Sequence, residues 1–495
     1  MIGSGPNGLA AAITLAQAGC EVLVLEAAPV AGGAVATEEL TLPGFRHDTY
    51  SSVYPAAAAS PVFTSMPLER HGLRWVHPVA CYAHPLEDGS GAALYRDLDQ
   101  TAQSLDALAP GDGDAWRRFA SPLLGRFELL RDTLLGRFAP VRSATRLAVG
   151  LRPRRLAELG RVALMPVQAL AGELFSDAGS RAWLYGSAMH GDVPPGSSGS
   201  TLPALFLNLL GHAVGWPSPE GGAGRLAGAL TGYLESLGGF IRTDSEVVQI
   251  ATDGRRARGV VLADGTTLDG QTVIADVMPG ALARMADAGL PARYAAALRR
   301  YRPGPATLKL DWALAGPIPW SAPEARDAGT VHVGGGEEEM LMSAASGAGL
   351  AERPFMLLGQ QSIADPTRAP AGGHTAWAYM HGPQTADWAG ALDRQVDRME
   401  AQVERFAPGF RDLILARHVL TPTDLQRRNA NLVGGDVGGG SYSLDQALLR
   451  PVARPVPYRT PVQGLYIASA AAFPGGAVHG VPGRAAARLA LARAH

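Results

Sequence analysis

Residues 1–33, MIGSGPNGLAAAITLAQAGCEVLVLEAAPVAGG, decide the fold. Gly3, Gly5 and Gly8 form G-x-G-x-x-G. A helix is expected from Leu9 to about Ala18, ended by Gly19, and EVLVL (Glu21 to Leu25) reads as a buried strand closed by Glu26. In such a unit one glycine makes the turn, one lets backbone approach a pyrophosphate, and one lets the helix pack on the sheet. The helix N-terminus, which begins at Pro6-Asn7, offers a partial positive charge and its unpaired N–H groups to that pyrophosphate. Glu26 stands 26 − 3 = 23 residues after the first glycine, the spacing of an acid that accepts from ribose hydroxyls. The pattern predicts dinucleotide binding.

Gly32-Gly33 suits a second close approach to phosphate, and no basic residue directly follows Glu26 to hold a 2′-phosphate. FAD is therefore favoured over NADP. A dinucleotide sheet also needs a strand leading into the first glycine, and only Met1-Ile2 stand there. The expectation is a misassigned or truncated start, or another segment in that lane. N-terminal sequencing of natively expressed protein is the check.

The 495 residues allow two or three domains with ample core. A net charge of −2 gives no electrostatic case for nucleic acid. The two cysteines, Cys20 and Cys81, form no C-x-x-C, which excludes a dithiol flavoenzyme and disfavours a secreted disulfide framework. Cys20 is expected in a small apolar site beside the strand. No apolar run reaches the roughly 20 residues of a membrane span, and no signal peptide is evident. The expected location is cytoplasmic, with peripheral membrane contact.

Further along, Leu73 to Asp99 reads as a strand meander, and Asp97 to Phe175 as helices. The basic run Arg137 to Arg161 suits a solvated helix face or an anionic membrane surface. Leu202 to Leu210 suits a buried helix lining an apolar cavity. Asp253-Gly254 and Asp264-Gly265 mark hairpins. TLKLDWAL and TAWAYMHGP read as strands, and AGALDRQVDRMEAQVERF as an amphipathic helix. At the end GLYIAS reads as a buried strand, Pro474-Gly475-Gly476 as a turn, and Arg484 to Arg493 as a helix. That helix start suits the pyrimidine edge of a flavin, where negative charge develops on reduction.

Together GSGPNGLAAAITLAQAGCEVLVLEA, GWPSPEGG, GRRARGVVLADG, NANLVGGDVGGGSYSLDQALLRP and YRTPVQGLYIASAAAFPGGAVHGVPGRAA resemble the carotenoid/phytoene desaturase-like FAD oxidoreductases. The similar branch is the bacterial phytoene dehydrogenase-like group related to pyridine nucleotide-disulfide oxidoreductase domain-containing protein 2. The resemblance spans nearly the whole chain. It implies an α/β fold: a discontinuous Rossmann-like FAD-binding domain (1–72, 218–290 and 431–495) with an inserted α+β substrate domain (73–217 and 291–430). It implies FAD contacts at Gly3, Gly5, Gly8, Glu26, Gly32, Gly33, Val247, Gly475, Gly476 and the adjoining Val478. Two departures stand out: the first strand of the FAD-binding domain is missing, and Ala470 to Ala472 replace residues that are often glycine and polar.

The chemistry so implied is desaturation of a CH–CH bond in an apolar polyene, isoprenoid or lipid-like substrate. Hydride goes to flavin and a proton leaves the neighbouring carbon. One dinucleotide motif points to oxygen or a quinone as acceptor. His479, inside the flavin motif, and His190, beside Asp192, are the candidate bases. His212 and His381 read as structural. Tyr50, Tyr54 and Trp216 are candidate pocket residues, with plain packing the equal alternative. No metal-ligand spacing is seen. A flavin amine oxidase, an alkene reductase or isomerase, and a non-catalytic interaction protein are the competing readings.

Overall fold

The computed structural model describes residues 1–136, 138–149, 153–191, 193–345 and 349–494. Arg137, residues 150–152 of the basic run, and Asp192 beside His190 lie outside them. In chain order the elements used below begin with α1 (Pro6–Ala16), β1 (Leu23–Leu25), β2 (Ala80–Pro85) and β3 (Gly91–Leu94). They continue with α2 (Ala178–Ala188), α3 (Thr201–Val214), α4 (Gly224–Ser236), β4 (Phe240–Arg242), β5 (Val247–Thr252) and β6 (Val273–Ala275). The last are β7 (Ala306–Leu314), β8 (Ala328–Val333), β9 (Met356–Gly359), β10 (His374–Gly382), α5 (Trp388–Phe406), β11 (Ile414–Leu420), β12 (Leu465–Ile467) and α6 (Val481–Ala494).

Pro6 supplies a pre-set φ for the first turn of α1. The run Leu9 to Ile13 is fully buried, so this helix is held by packing on both sides rather than by an amphipathic stripe. Its neighbours include α4 and α6. Beneath it lies a parallel sheet in which β1 pairs with β4 and β6 with β12. Ile2 bridges β1 and β6, pairing parallel with Leu25 and Ala275. Ile2 N–H donates to Ile274 O at 2.9 Å, and Gly3 N–H to Leu25 O at 2.8 Å. Leu25 N–H donates to Met1 O and Asp276 N–H to Ile2 O, both at 2.9 Å. The two residues before the glycine motif thus occupy the lane that dinucleotide folds give to a full strand. Burial lowers the Met1 amine to about pKa 6.

A second, seven-stranded sheet runs β11-β7-β10-β9-β8-β2-β3. All its pairs are antiparallel except β8 with β2. Side chains alternate across a strand, and here the two faces differ sharply. Leu308, Leu310, Trp312, Val331, Met356, Leu358, Ala378 and Met380 form one face, packed on Val396, Met399, Val403 and Phe406 of α5. The opposite face carries Lys309, Asp311, Tyr379, His381, His332, Tyr82 and His84, as the register pairs Lys309 with Tyr379, His332 with Leu357 and Thr330 with Tyr82. Helices α2 and α3 pack over this polar face near β2, where Tyr82, Leu94, Trp183 and Ala204 share one core.

The meander expected over Leu73 to Asp99 is broken up. Trp75–Val76 pairs instead with Ser218–Pro219, and only β2 and β3 form a hairpin. Cys20 is exposed rather than packed in an apolar site, because it follows the left-handed Gly19 at the sheet's rim; Cys81 is the buried cysteine. Among the described residues no helix is long and apolar enough to cross a membrane.

Candidate active site

The glycine turn is built for close approach. A Cβ on Gly8 would lie 2.2 Å from Gly3 O, one on Gly33 2.9 Å from the Gly5 Cα, and one on Gly32 2.8 Å from Val35 O. Gly5 caps α1 without any side-chain hydrogen bond, Pro6 has no N–H and Gly8 N–H is taken by Asp276, so the Asn7 N–H is left in this turn for another acceptor. Asn7 Oδ1 is buried without a partner. Glu26 accepts from Ser4 N–H at 2.8 Å, from Ser4 Oγ at 2.6 Å and from Ala28 N–H at 2.9 Å, which fixes the carboxylate beside the turn. Val247 opens β5 and packs with Ile2 and Leu25. The chain's other end closes on the same place. A Cβ on Gly483 would lie 1.8 Å from Asn7 O, and one on Gly480 2.9 Å from the Ala10 Cβ. Gly3, Gly5, Pro6, Asn7, Gly8, Glu26, Gly32 and Gly33 therefore lie together, with Val478, Gly480 and Gly483 packed on their helix, while Gly475 and Gly476 pack on Arg450, Tyr442 and Gly438. A free N–H at Asn7, its orphaned amide oxygen and glycines in close contact fit a bound dinucleotide.

Asp276, at the end of β6, was not singled out by sequence. Its Oδ2 accepts from Gly8 N–H at 2.9 Å and would sit 2.9 Å from a Cβ on Gly5. Burial, with Glu26 nearby, pushes its carboxyl up to about 7. His479 is buried, and both its ring nitrogens face its own turn: Val481 N–H donates to Nδ1 at 3.2 Å and Nε2 lies 3.1 Å from Gly476 O. In this arrangement it braces the start of α6. Burial lowers its pKa to about 4.

His190 lies at the other sheet. Its Nε2 is 2.8 Å from His332 Nε2, so one imidazole donates and the other accepts. His332 stacks on Tyr82 at 4.2 Å, and Gly186 of α2 makes the room: a Cβ there would lie 2.1 Å from His332 Nδ1. Tyr82 in turn donates to Asn208 and accepts from Ser187. Trp216 meets His190 edge-on at 5.0 Å. Burial lowers His190 to about pKa 3 and both His84 and His381 to about 4, and holds His332 well below the usual range, so all four are neutral at pH 7. Among the described residues no group of three or more His, Cys, Asp or Glu could hold a metal. A cavity opens beside this cluster, lined by Met189, Val193, Phe355, Leu357, Tyr379 and His381. His381 is thus a cavity residue as well as a partner of Thr307 at 3.1 Å, whereas His212 accepts from the Trp116 indole at 3.1 Å within the helical core. Tyr54 is buried and bonded to Ser51.

Lys309, the single lysine of the chain, is buried and ion-paired with buried Asp311. His47 lies 3.8 Å and His418 3.9 Å from the Asp311 oxygens. Burial opposes ionisation of Asp311, but Lys309, His418 and His47 together hold it below the usual carboxylate range. Arg368 pairs with Asp48 through both amino groups close by.

The family model described as flavin containing amine oxidoreductase matches residues 7–490. Pyridine nucleotide-disulfide oxidoreductase domain-containing protein 2 of Rattus norvegicus is 30% identical, over 99% of this chain and 92% of its own. Phytoene desaturase (lycopene-forming) of Paracoccus sp. is 25% identical, over 98% and 95%. Among solved structures, an oxidoreductase from Methanosarcina mazei superposes with a TM-score of 0.67 at 18% identity, over 99% and 98%.

Proposed function

Because this chain belongs to the flavin-containing amine oxidoreductase family, and is therefore an FAD-dependent oxidoreductase, we propose that it desaturates a neutral, apolar substrate such as a polyene, isoprenoid or acyl chain. The cavity carries the proposal. Its described lining holds no carboxylate to pair with an ammonium, and the histidines beside it are neutral. A cationic amine entering it would shed hydration with no counter-charge, which is unfavourable by several kcal/mol. The similarity to a phytoene desaturase supports the same choice.

On this reading residues 1–72, 218–290 and 431–495 hold FAD, and 73–217 with 291–430 hold substrate. Gly3, Gly5, Pro6, Asn7 and Gly8 take the pyrophosphate, Glu26 the ribose, Val247 the adenine side, and Gly475, Gly476 and Val478 the flavin end. Bound there, FAD would supply the two-electron acceptor for the substrate's hydride, with oxygen or a quinone as the final oxidant. His190 receives the proton lost from the neighbouring carbon at Nδ1, while its Nε2 bond to His332 orients the ring. His479 holds the flavin-side turn. The helices Val141–Val149 and Pro153–Leu164, with Arg142, Arg146, Arg154 and exposed Val149 and Leu164, provide a peripheral membrane contact through which such a substrate enters.

The test is anaerobic mixing of the purified yellow protein with neutral polyenes or isoprenoids and, separately, with primary amines. Bleaching of the flavin band by the neutral class alone is expected. Bleaching by amines alone would overturn the substrate assignment.

A further inference from the structure

Arg450 is fully buried in the loop that precedes β12. Its guanidinium has no carboxylate within ion-pair distance among the described residues. Nη2 donates to Gly439 O at 2.6 Å, to Gly440 O at 3.4 Å and to the Tyr301 hydroxyl; Nε donates to Ala471 O at 3.3 Å. Every one of these acceptors is neutral. The nearby Asp436 directs its oxygens to the N–H groups of Gly304, Gly438 and Gly440. The guanidinium carbon lies 4.5 Å from the Tyr442 ring centre and 5.8 Å from that of Tyr301.

Nη1 makes no well-formed hydrogen bond, and the group beside it is the neutral Tyr442 hydroxyl. Nη1 faces the turn before α6: a Cβ on Gly475 would lie 2.7 Å from it. Gly475 has φ +121°, which a side chain would also resist. Gly476 N–H donates to the Tyr442 hydroxyl, so the ring stacked on Arg450 also holds this turn. Two ring contacts offset about 1–2 kcal/mol each, while a buried charge without a counter-ion costs several. The cation therefore belongs with an anion. The start of α6 adds the positive end of its dipole to the same strip.

We propose that Arg450 is a positioning residue for flavin electronics: a fixed positive charge behind the Gly475-Gly476 turn that favours the negative charge gathered on the pyrimidine side when FAD takes up two electrons and one proton. This rests on the assignment of FAD to the site. Charge placed near that edge is one of the few ways a protein tunes a flavin.

The experiment measures flavin reduction at equilibrium with a reference dye, on wild-type holoenzyme and on R450Q, R450K and Y442F. At a fixed poise R450Q should lower the reduced-to-oxidised ratio at least tenfold, which is about 30 mV for a two-electron couple. R450K and Y442F, which keep the cation, should stay within threefold of wild type. An R450Q protein that holds FAD with an unchanged ratio overturns the proposal, as does R450K falling as far as R450Q. Should R450Q not retain FAD, wild type alone decides. Between pH 6 and pH 5 its ratio at fixed potential should change tenfold, for one proton; a hundredfold change, for two, overturns the proposal. A wild-type protein that takes up no FAD would instead remove the cofactor assignment, and the proposal with it.

Discussion

Asp276 offers the sharpest test of the cofactor cradle. Its carboxyl stands under the glycine turn, bonded to Gly8 N–H, and burial moves its pKa from 3.8 to about 7. The folded protein therefore keeps the proton to higher pH than the unfolded chain. For an acid shifted upward, the stability contribution is intact below 3.8 and is lost as pH rises through 7. Each pH unit in that window costs ~1.4 kcal/mol, so the full window of 7 − 3.8 = 3.2 sets a ceiling of about 4 kcal/mol. Asp276→Asn keeps an acceptor for Gly8 but carries no charge. Between pH 5 and pH 7 wild type should lose about 2.5 kcal/mol more than D276N, read by urea unfolding of both proteins at each pH. FAD binding should follow the same sign, since a pyrophosphate at Gly5–Gly8 repels an ionised Asp276. The wild-type Kd should weaken as pH rises from 6 to 8, while that of D276N stays flat. Parallel stability curves for the two proteins would refute the argument.

Gly8→Ala places a methyl 2.2 Å from Gly3 O, and should weaken FAD at least a hundredfold, read as lost flavin absorbance after gel filtration. Lys309→Met leaves the buried Asp311 without its cation and should destabilise by about 3–5 kcal/mol; adding Asp311→Leu should recover most of that loss in the same melt. His190→Gln should cut turnover per bound flavin at least tenfold with FAD content unchanged. His479→Ala should do the reverse: it removes the acceptor for Val481 N–H, so stability falls by ~1 kcal/mol and FAD is lost, while turnover per bound flavin persists.

The nucleotide half was legible because its chemistry is local. A glycine triplet, a helix start and an acid at a set distance point to a dinucleotide fold without any long-range contact, and the chain's last strand and helix carry the same kind of signal. What stayed hidden depends on residues far apart in sequence. Asp276 reaches Gly8 across 268 positions and Arg368 reaches Asp48 across 320; nothing near either residue announces the partner. Lys309 did carry a signal: a lone lysine among 43 basic residues, set in a strand-like TLKLDWAL with Asp two residues on. That spacing places both on one face of a strand. His381 read as structural because its strand alone does not show that its face, and not that of Met380, meets the cavity.

The sheet face itself argues for how the site divides. Along the order β11-β7-β10-β9-β8-β2, the ionised groups gather at one end: Lys309 and Asp311 on β7, with His418 of β11 and His47 against them. Neutral histidines stand on β10, β8 and β2, with Leu357 between His381 and His332, and burial keeps His47 neutral beside Asp311 as well. A buried ion pair is kept only where its charges face one another, and Asp311 is held by one cation and two imidazoles. The buried histidines surrender their protons, His47 included even though it faces Asp311. The cavity opens over the neutral end. A long apolar substrate lying there would touch uncharged rings, Phe355, Tyr379 and His381, and the Lys309–Asp311 pair lies toward the β7 end. A neutral hydrocarbon with a polar terminus should therefore reduce the flavin faster than the same chain bearing an internal charge. Equal rates for the two would mean that the division of the face plays no part in choosing the substrate.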